Sequence, residues 1–207
     1  MSMGRFISFE GTEGVGKTTA IDGLCQRLTQ QGIEVLRTRE PGGSELAEHL
    51  RQIFLNPAHH IDADTEILLL FAARADHLHR VIVPALNMGK WVICDRFFDS
   101  TVAYQGFGRY HGDAKALAKI ELLIEQFVQI QPELTLWLDL DIRLGMQRAA
   151  KRSTADRLEA NDIAFFERVH QGLSYQQQKH PKRICRIDAS GSSEQVAQRI
   201  DAALGLS

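Results

Sequence analysis

The sequence predicts an α/β fold, a parallel sheet flanked by helices. Strand-like and helix-like segments alternate along the 207 residues, as they do where helical crossovers join parallel strands. Residues 11–18, Gly-Thr-Glu-Gly-Val-Gly-Lys-Thr, fit G-x-x-x-x-G-K-[ST], a phosphate-binding loop set between a strand and a helix. The flanks agree. Phe6-Ile7-Ser8-Phe9 reads as a buried strand, and Ile21, Leu24, Cys25 and Leu28 recur at helical spacing up to Gly32, a helix stop.

The expected strands are 5–9, 34–38, 91–95, 134–140 and 183–188. All but the mixed 34–38 are rich in Val, Ile, Leu, Phe or Trp. Helices are expected over about 17–31, 44–55, 64–88, 113–130, 142–151, 162–179 and 193–204. Asp113 and Asn161 are the expected N-caps of two of them, and Ser192 with Gln195 makes a capping-box pattern. Pro84 should kink or break the helix at 64–88. No repeat, low-complexity run or linker interrupts the chain, so residues 1–207 are expected to form a single domain.

A net charge of −2 gives no polyanion-binding surface, so no nucleic-acid partner is expected. No signal peptide and no apolar run near 20 residues is present, so no membrane association and a cytoplasmic location are expected. Cys25, Cys94 and Cys185 are odd in number and far apart, and read as small core residues. His59-His60 and His77-x-His79 lack the spacing and partners of a metal site.

The loop residues Gly11, Thr12, Glu13, Gly14, Val15, Gly16, Lys17 and Thr18 are expected to cradle a nucleoside triphosphate. Its glycines let backbone N–H groups face phosphate oxygens, and the helix dipole points the same way. Lys17 supplies a charge for the β- and γ-phosphates, and Thr18 a hydroxyl for Mg²⁺. The strand Trp91–Cys94 ends in Asp95-Arg96: a carboxylate near the metal, then a planar fork of donors suited to a second phosphate. Phe71 and Arg74, three apart on a helix, share a face and suit a heterocyclic base. Arg148, Lys151, Arg152 and Arg157 form a basic, hinged segment that reads as a lid over about 148–160.

Asn-Lys-x-Asp and a strand-terminal Asp-x-x-Gly are absent, which argues against a GTPase, and no general base for a hydroxyl acceptor is evident. A phosphate acceptor needs none, because a nucleoside monophosphate is largely a dianion at pH 7. It needs alignment and cancelled repulsion, hence arginines. The residues therefore reach a nucleoside monophosphate kinase. The competing reading is a P-loop module that holds ATP without transferring phosphate.

Over nearly its full length the chain resembles bacterial thymidylate kinases (dTMP kinases). The resemblance rests on Phe9-Glu10-Gly11 to Thr18-Thr19, Arg37-Thr38-Arg39-Glu40-Pro41-Gly42-Gly43, Leu70–Arg74, Val92–Arg96, Ser100–Gly106, Asp156-Arg157-Leu158-Glu159 and Ile187-Asp188-Ala189. It implies transfer of the γ-phosphoryl of ATP to dTMP with Mg²⁺, and a three-layer sandwich whose five parallel strands run in the order 2-3-1-4-5. It also implies a homodimer. Phe71 would stack on thymine, Arg74 would bond a base carbonyl, and Thr101 and Gln105 would lie at the base edge. Tyr104 would lie under the deoxyribose and Arg96 on the acceptor phosphate, which Arg51 would also reach. Glu40 and Ser100 are grouped with these acceptor-binding residues. Glu10 and Asp95 would support the metal, and Ala189 would lie beside the adenine. Val15 stands where some relatives carry a catalytic Arg, so the chain resembles the branch that places it in the lid: Arg148, Arg152 or Arg157.

Overall fold

The computed structural model describes residues 4–151 and 161–206. Five strands form one parallel sheet: β1 (Phe6–Glu10), β2 (Val35–Arg39), β3 (Trp91–Asp95), β4 (Leu134–Asp139) and β5 (Ile184–Asp188). Their order is β2-β3-β1-β4-β5, as the family resemblance implies. β1 is central and buried at all five positions. Its neighbours are β3 on one side and β4 on the other, so the order reverses at its C-terminal end. In open α/β sheets that reversal leaves a crevice where ligands bind.

Alternate strand residues pack on opposite faces of the sheet. Ile7, Phe9, Ile93, Leu136 and Leu138 pack on Leu24 and Leu28 of α1 (Lys17–Gln30) and Ile200 of α9 (Ser193–Leu204). Phe6, Val92 and Cys94 face the other way, toward α3 (Ala63–His77), α4 (Val83–Asn87) and α6 (Ala114–Phe127). This gives the three layers of the expected sandwich. Cys94 lies in the core, whereas Cys25 and Cys185 are only partly buried at its margin.

Helix starts follow side-chain chemistry. Ser44 caps α2 (Glu45–Leu55), Asp62 caps α3, Asp113 caps α6 and Asp141 caps α7 (Ile142–Ala150). Ser192 closes the expected capping box on α9. The cap of α8 (Ile163–Lys179) is Asp162 and not Asn161; Asn161 instead accepts from Arg109. The span expected as one helix at 64–88 is divided, with a π-helical turn over Leu78–Ile82 just before Pro84. A wide turn there accommodates a residue with no N–H.

One element has no counterpart among the expected helices. α5 (Phe98–Thr101) continues into a π-helical segment, Val102–Arg109, packed closely against α8. It carries much of the site.

Candidate active site

The phosphate loop joins β1 to α1 at the crevice. Gly14 and Gly16 have φ of 73° and 96°, a conformation that glycine adopts without strain. Gly16 is also the N-cap of α1, and no side chain caps that end. Among the described residues the other long helices begin under an Asp or Ser, so there α1 alone keeps its first N–H groups open to an anion. Lys17 Nζ folds back onto the carbonyls of Gly11 and Thr12 at 2.9 and 3.0 Å. Burial, with Arg96 adding, lowers its pKa to about 8 against the pull of Asp95, Glu13 and Glu10.

The loop leans directly on α7. A Cβ on Gly14 would lie 1.9 Å from the carbonyl oxygen of Gly145, and one on Gly145 would lie 2.7 Å from that of Glu13. Neither contact leaves room for a side chain. On the donor side a cavity of about 390 Å³ opens between Val15, Gly16, Arg148, Ala189, Gly191 and Val196. Ala189, the expected neighbour of the adenine, is one of its lining residues. Arg148 also borders this cavity. Arg152 and Arg157 lie outside the described residues.

A smaller cavity, about 40 Å³, lies on the other side of the loop and is lined by Arg74, Arg96, Ser100, Thr101, Tyr104 and Gln105, among others. Arg96 holds a left-handed backbone, φ 68°, costly for a residue with a side chain. Its N–H bonds the Phe9 carbonyl, and its own carbonyl takes the Cys94 thiol. The guanidinium donates to Glu13 at 2.9 Å and Ser100 at 3.2 Å, and lies 4.8 Å from the Tyr104 ring. Burial works against its charge, but Tyr104, Glu13, Asp95 and Glu10 together hold its pKa above the usual arginine value. Tyr104 donates to both Glu13 oxygens at 3.0 and 2.8 Å. Glu13 therefore ties the phosphate loop to the acceptor side.

The base-reading residues differ in part from expectation. Phe71 does not line the acceptor cavity; it is buried in the core with the Arg74 guanidinium 4.9 Å from its ring. Leu70, four residues before Arg74, takes that face, joined by Phe54 and Phe97. Glu40 is committed to holding Arg74. Its Oε2 accepts from Arg74 Nε at 2.7 Å and its Oε1 lies 3.1 Å from His77 Nδ1. A carboxylate only accepts, so Nδ1 donates. His77 Nε2 meets Thr38 Oγ1 at 2.7 Å. Gly43 makes room for this: a Cβ there would lie 2.3 Å from His77 Nε2. Arg51 braces the same turn through the Pro41 carbonyl at 2.8 Å. His77 and Leu70 were missed as site residues; a polar group inside an apolar helix face was the available signal for His77.

Glu10, expected near the metal, is engaged by the turn after β3. Its Oε1 accepts from the N–H groups of Phe97 and Ser100, and its Oε2 from the Ser100 hydroxyl. Burial, reinforced by Asp99, raises its pKa to about 7. The side chain anchors the turn after β3. Asp95 fits Mg²⁺ better, because its Oδ1 is buried and has no hydrogen-bond partner. Among the described residues no group of three or more His, Cys, Asp or Glu could hold a metal. A site of one carboxylate, one hydroxyl and substrate phosphates agrees with how Mg²⁺ is usually held.

The phosphate loop thus has a cavity on each side, one lined by Val15 and Gly16 and the other by Arg96. Comparison with known proteins adds a family. A family model described as thymidylate kinase matches residues 9–200. The chain is 64% identical over 200 residues to thymidylate kinase of Psychrobacter sp. (strain PRwf-1), covering 97% of this chain and 96% of that one. It is 46% identical to the enzyme of Teredinibacter turnerae, with 97% of each covered. The crystal structure of thymidylate kinase from Ehrlichia chaffeensis superposes with a TM-score of 0.78 at 32% identity, covering 98% of this chain and 99% of that one. With its sheet order, phosphate loop and paired cavities in agreement, the chain belongs to the thymidylate kinase family.

Proposed function

We propose that the chain transfers the γ-phosphoryl group of ATP to dTMP, giving dTDP and ADP. Family membership supports the reaction. The observation that carries the acceptor assignment is the ring of Arg96, Glu13 and Tyr104. It places a fixed arginine beside the phosphate loop, at a cavity lined by Leu70, Arg74, Thr101 and Gln105.

Arg96 would hold the acceptor phosphate, and Lys17 would leave the Gly11 and Thr12 carbonyls for the donor's β- and γ-phosphates. The two cations bring the anions together, which is most of what a loose phosphoryl transfer needs. Thr18 and Asp95 would hold Mg²⁺, which when bound neutralises charge across the donor phosphates. Arg152 and Arg157 would complete the charge on the transferring group, since Val15 cannot.

The reading includes one domain, a cytoplasmic location and a homodimer. No helix among the described residues is long and apolar enough to cross a membrane. Leu46 and Ile53 of α2, Leu68 of α3, and Leu122 and Phe127 of α6 are exposed apolar residues on neighbouring helices, which supports pairing through that face. Sedimentation of Leu68→Glu should report monomer where the parent reports dimer; an unchanged mass removes that face.

ADP release in a coupled assay with dTMP, dCMP, dGMP and AMP tests the reaction. dTMP should give the highest kcat/KM. Faster turnover of another monophosphate, with none of dTMP, overturns the reading.

A further inference from the structure

Two polar atoms in the acceptor-cavity residues are buried and have no hydrogen-bond partner: Nη1 of Arg74 and Oε1 of Gln105. The residues are only 2% and 1% exposed. Buried polar groups are nearly always paired, so two orphans at one cavity point to a ligand that pairs with both. They are opposite in kind, because a guanidinium N–H only donates and an amide oxygen only accepts. They are also near neighbours. Arg74 Nη2 donates to Thr101 Oγ1 at 3.0 Å, and Thr101 lies four residues before Gln105 on the same helical segment.

What turns the Gln105 amide is Glu66, 1% exposed on α3. Its Oε2 takes Gln105 Nε2 at 2.8 Å. Glu66 also meets Arg109, through Nη2 at 3.2 Å and Nε at 3.4 Å. An ionised carboxylate cannot donate, so only the NH₂ end of Gln105 can face it, and Oε1 is left for the cavity. The orientation thus follows from chemistry.

We infer that Glu66 is a specificity-determining positioning residue, which fixes the Gln105 amide so that the cavity wall reads a ring N–H beside a carbonyl. This rests on the reading of dTMP as the acceptor. The 4-carbonyl and N3–H of thymine meet Arg74 Nη1 and Gln105 Oε1, a donor facing an acceptor at each atom. Cytosine presents the reverse, an amino group and an unprotonated N3, and is mismatched at both.

In Glu66→Gln the new amide must still give its oxygen to the Arg109 donors. Its NH₂ is then left for Gln105, which turns its own oxygen to receive it and its NH₂ toward the base. Cytosine gains a partner at N3, and thymine loses one.

The test compares kcat/KM for dTMP and for 5-methyl-dCMP, which keeps the methyl group and changes only the edge being read. A site built around such hydrogen bonds rejects a mismatched analogue by about 10⁴-fold. Glu66→Gln should cut the preference for dTMP by about tenfold or more, dTMP losing and 5-methyl-dCMP gaining. A loss of both substrates in equal proportion is a structural defect only and overturns the inference, as does an unchanged ratio. No turnover of dTMP by the parent protein overturns the acceptor reading itself. A structure of the parent with dTMP is the second measurement. Gln105 Oε1 within hydrogen-bond distance of N3, with Nε2 still on Glu66, supports the assignment; Nε2 or a water at N3 overturns it.

Discussion

The acceptor cavity and the donor cavity are held together by different means. In the first, side chains are tied to side chains: Arg74 to Glu40, Arg96 to Glu13, Gln105 to Glu66. In the second, an uncapped helix end and a glycine contact with α7 set the shape, and the walls are largely Val, Gly and Ala. Locked side chains choose between similar ligands, because each wrong one leaves a buried group unpaired. A backbone cradle grips what all donors share, the phosphates. On the proposed reading, selectivity is kept on the acceptor side.

The sharpest way to break that contrast is Arg96→Ala. It should lower kcat/KM for dTMP by about 10³-fold, the upper scale of losing one fixed charge donor. KM for ATP should change far less. Steady-state kinetics with each substrate varied in turn decide it, and equal losses toward both would mean that Arg96 serves both cavities.

Arg152→Ala or Arg157→Ala should come next, at about 10²-fold in kcat, since Val15 leaves the phosphate loop short of one cation. kcat near the parent value in both variants, and in Arg148→Ala, would remove the lid assignment. Gly145→Ala follows. Its methyl group would meet the Glu13 carbonyl at 2.7 Å, and overpacking of this kind costs about 1–3 kcal/mol. KM for ATP should rise roughly tenfold, while the dTMP/5-methyl-dCMP preference stays. A lost preference with unchanged ATP affinity would show that the loop contact shapes the acceptor side instead.

How far the sequence carried this picture varies by element. The phosphate loop and the strands follow from local rules, so they were legible to within a residue or two. The helical segment at 98–109 was not. Gly106 and Gly108 and the β-branched Thr101 and Val102 weaken its helical signal. It is buried on nearly every side, so no polar face marks a period. Its glycines serve packing: a Cβ on Gly108 would lie 2.6 Å from the Phe165 ring. Spacing alone allowed Arg74 to pair with residue 70 or 71, and only the packed core separates Leu70 from Phe71. Glu66 was unreadable for a related reason. A lone carboxylate near the start of a helix looks like a solvated residue until Gln105 and Arg109 are seen to meet it.

A smaller effect concerns Lys17. Its pKa near 8 means that the free protein loses this charge as pH rises through about 8. Donor phosphates favour the charged form and raise the pKa in the complex. kcat/KM for ATP should therefore fall above about pH 8, while kcat at saturating ATP holds to higher pH. Coincident limbs in the two profiles would place the titrating group elsewhere.

Glu10 gives the smallest effect and the one most confined to the fold. Its pKa of about 7 lies above the ordinary value of 4.5, so between these pH values the folded chain binds a proton that the unfolded chain has released. The stabilisation is fully present below about 4.5 and is lost as pH rises through about 7. Glu10→Gln imitates the protonated carboxyl: its oxygen can take the Phe97 and Ser100 N–H groups, and its NH₂ can face the Ser100 hydroxyl. Being unable to ionise, it should be nearly neutral at pH 5 and gain on the parent at pH 8.5. A change of 1 kcal/mol moves Tm by about 2–4 °C in a domain of this size, so the gap between variant and parent should widen by at least that much across the range. Other titrating groups shift both proteins alike and cancel in the difference. Parallel curves of Tm against pH would mean that Glu10 is already ionised at pH 5, held so by Arg96 in spite of its burial, and the anchoring of the 97–100 turn would then be electrostatic in origin.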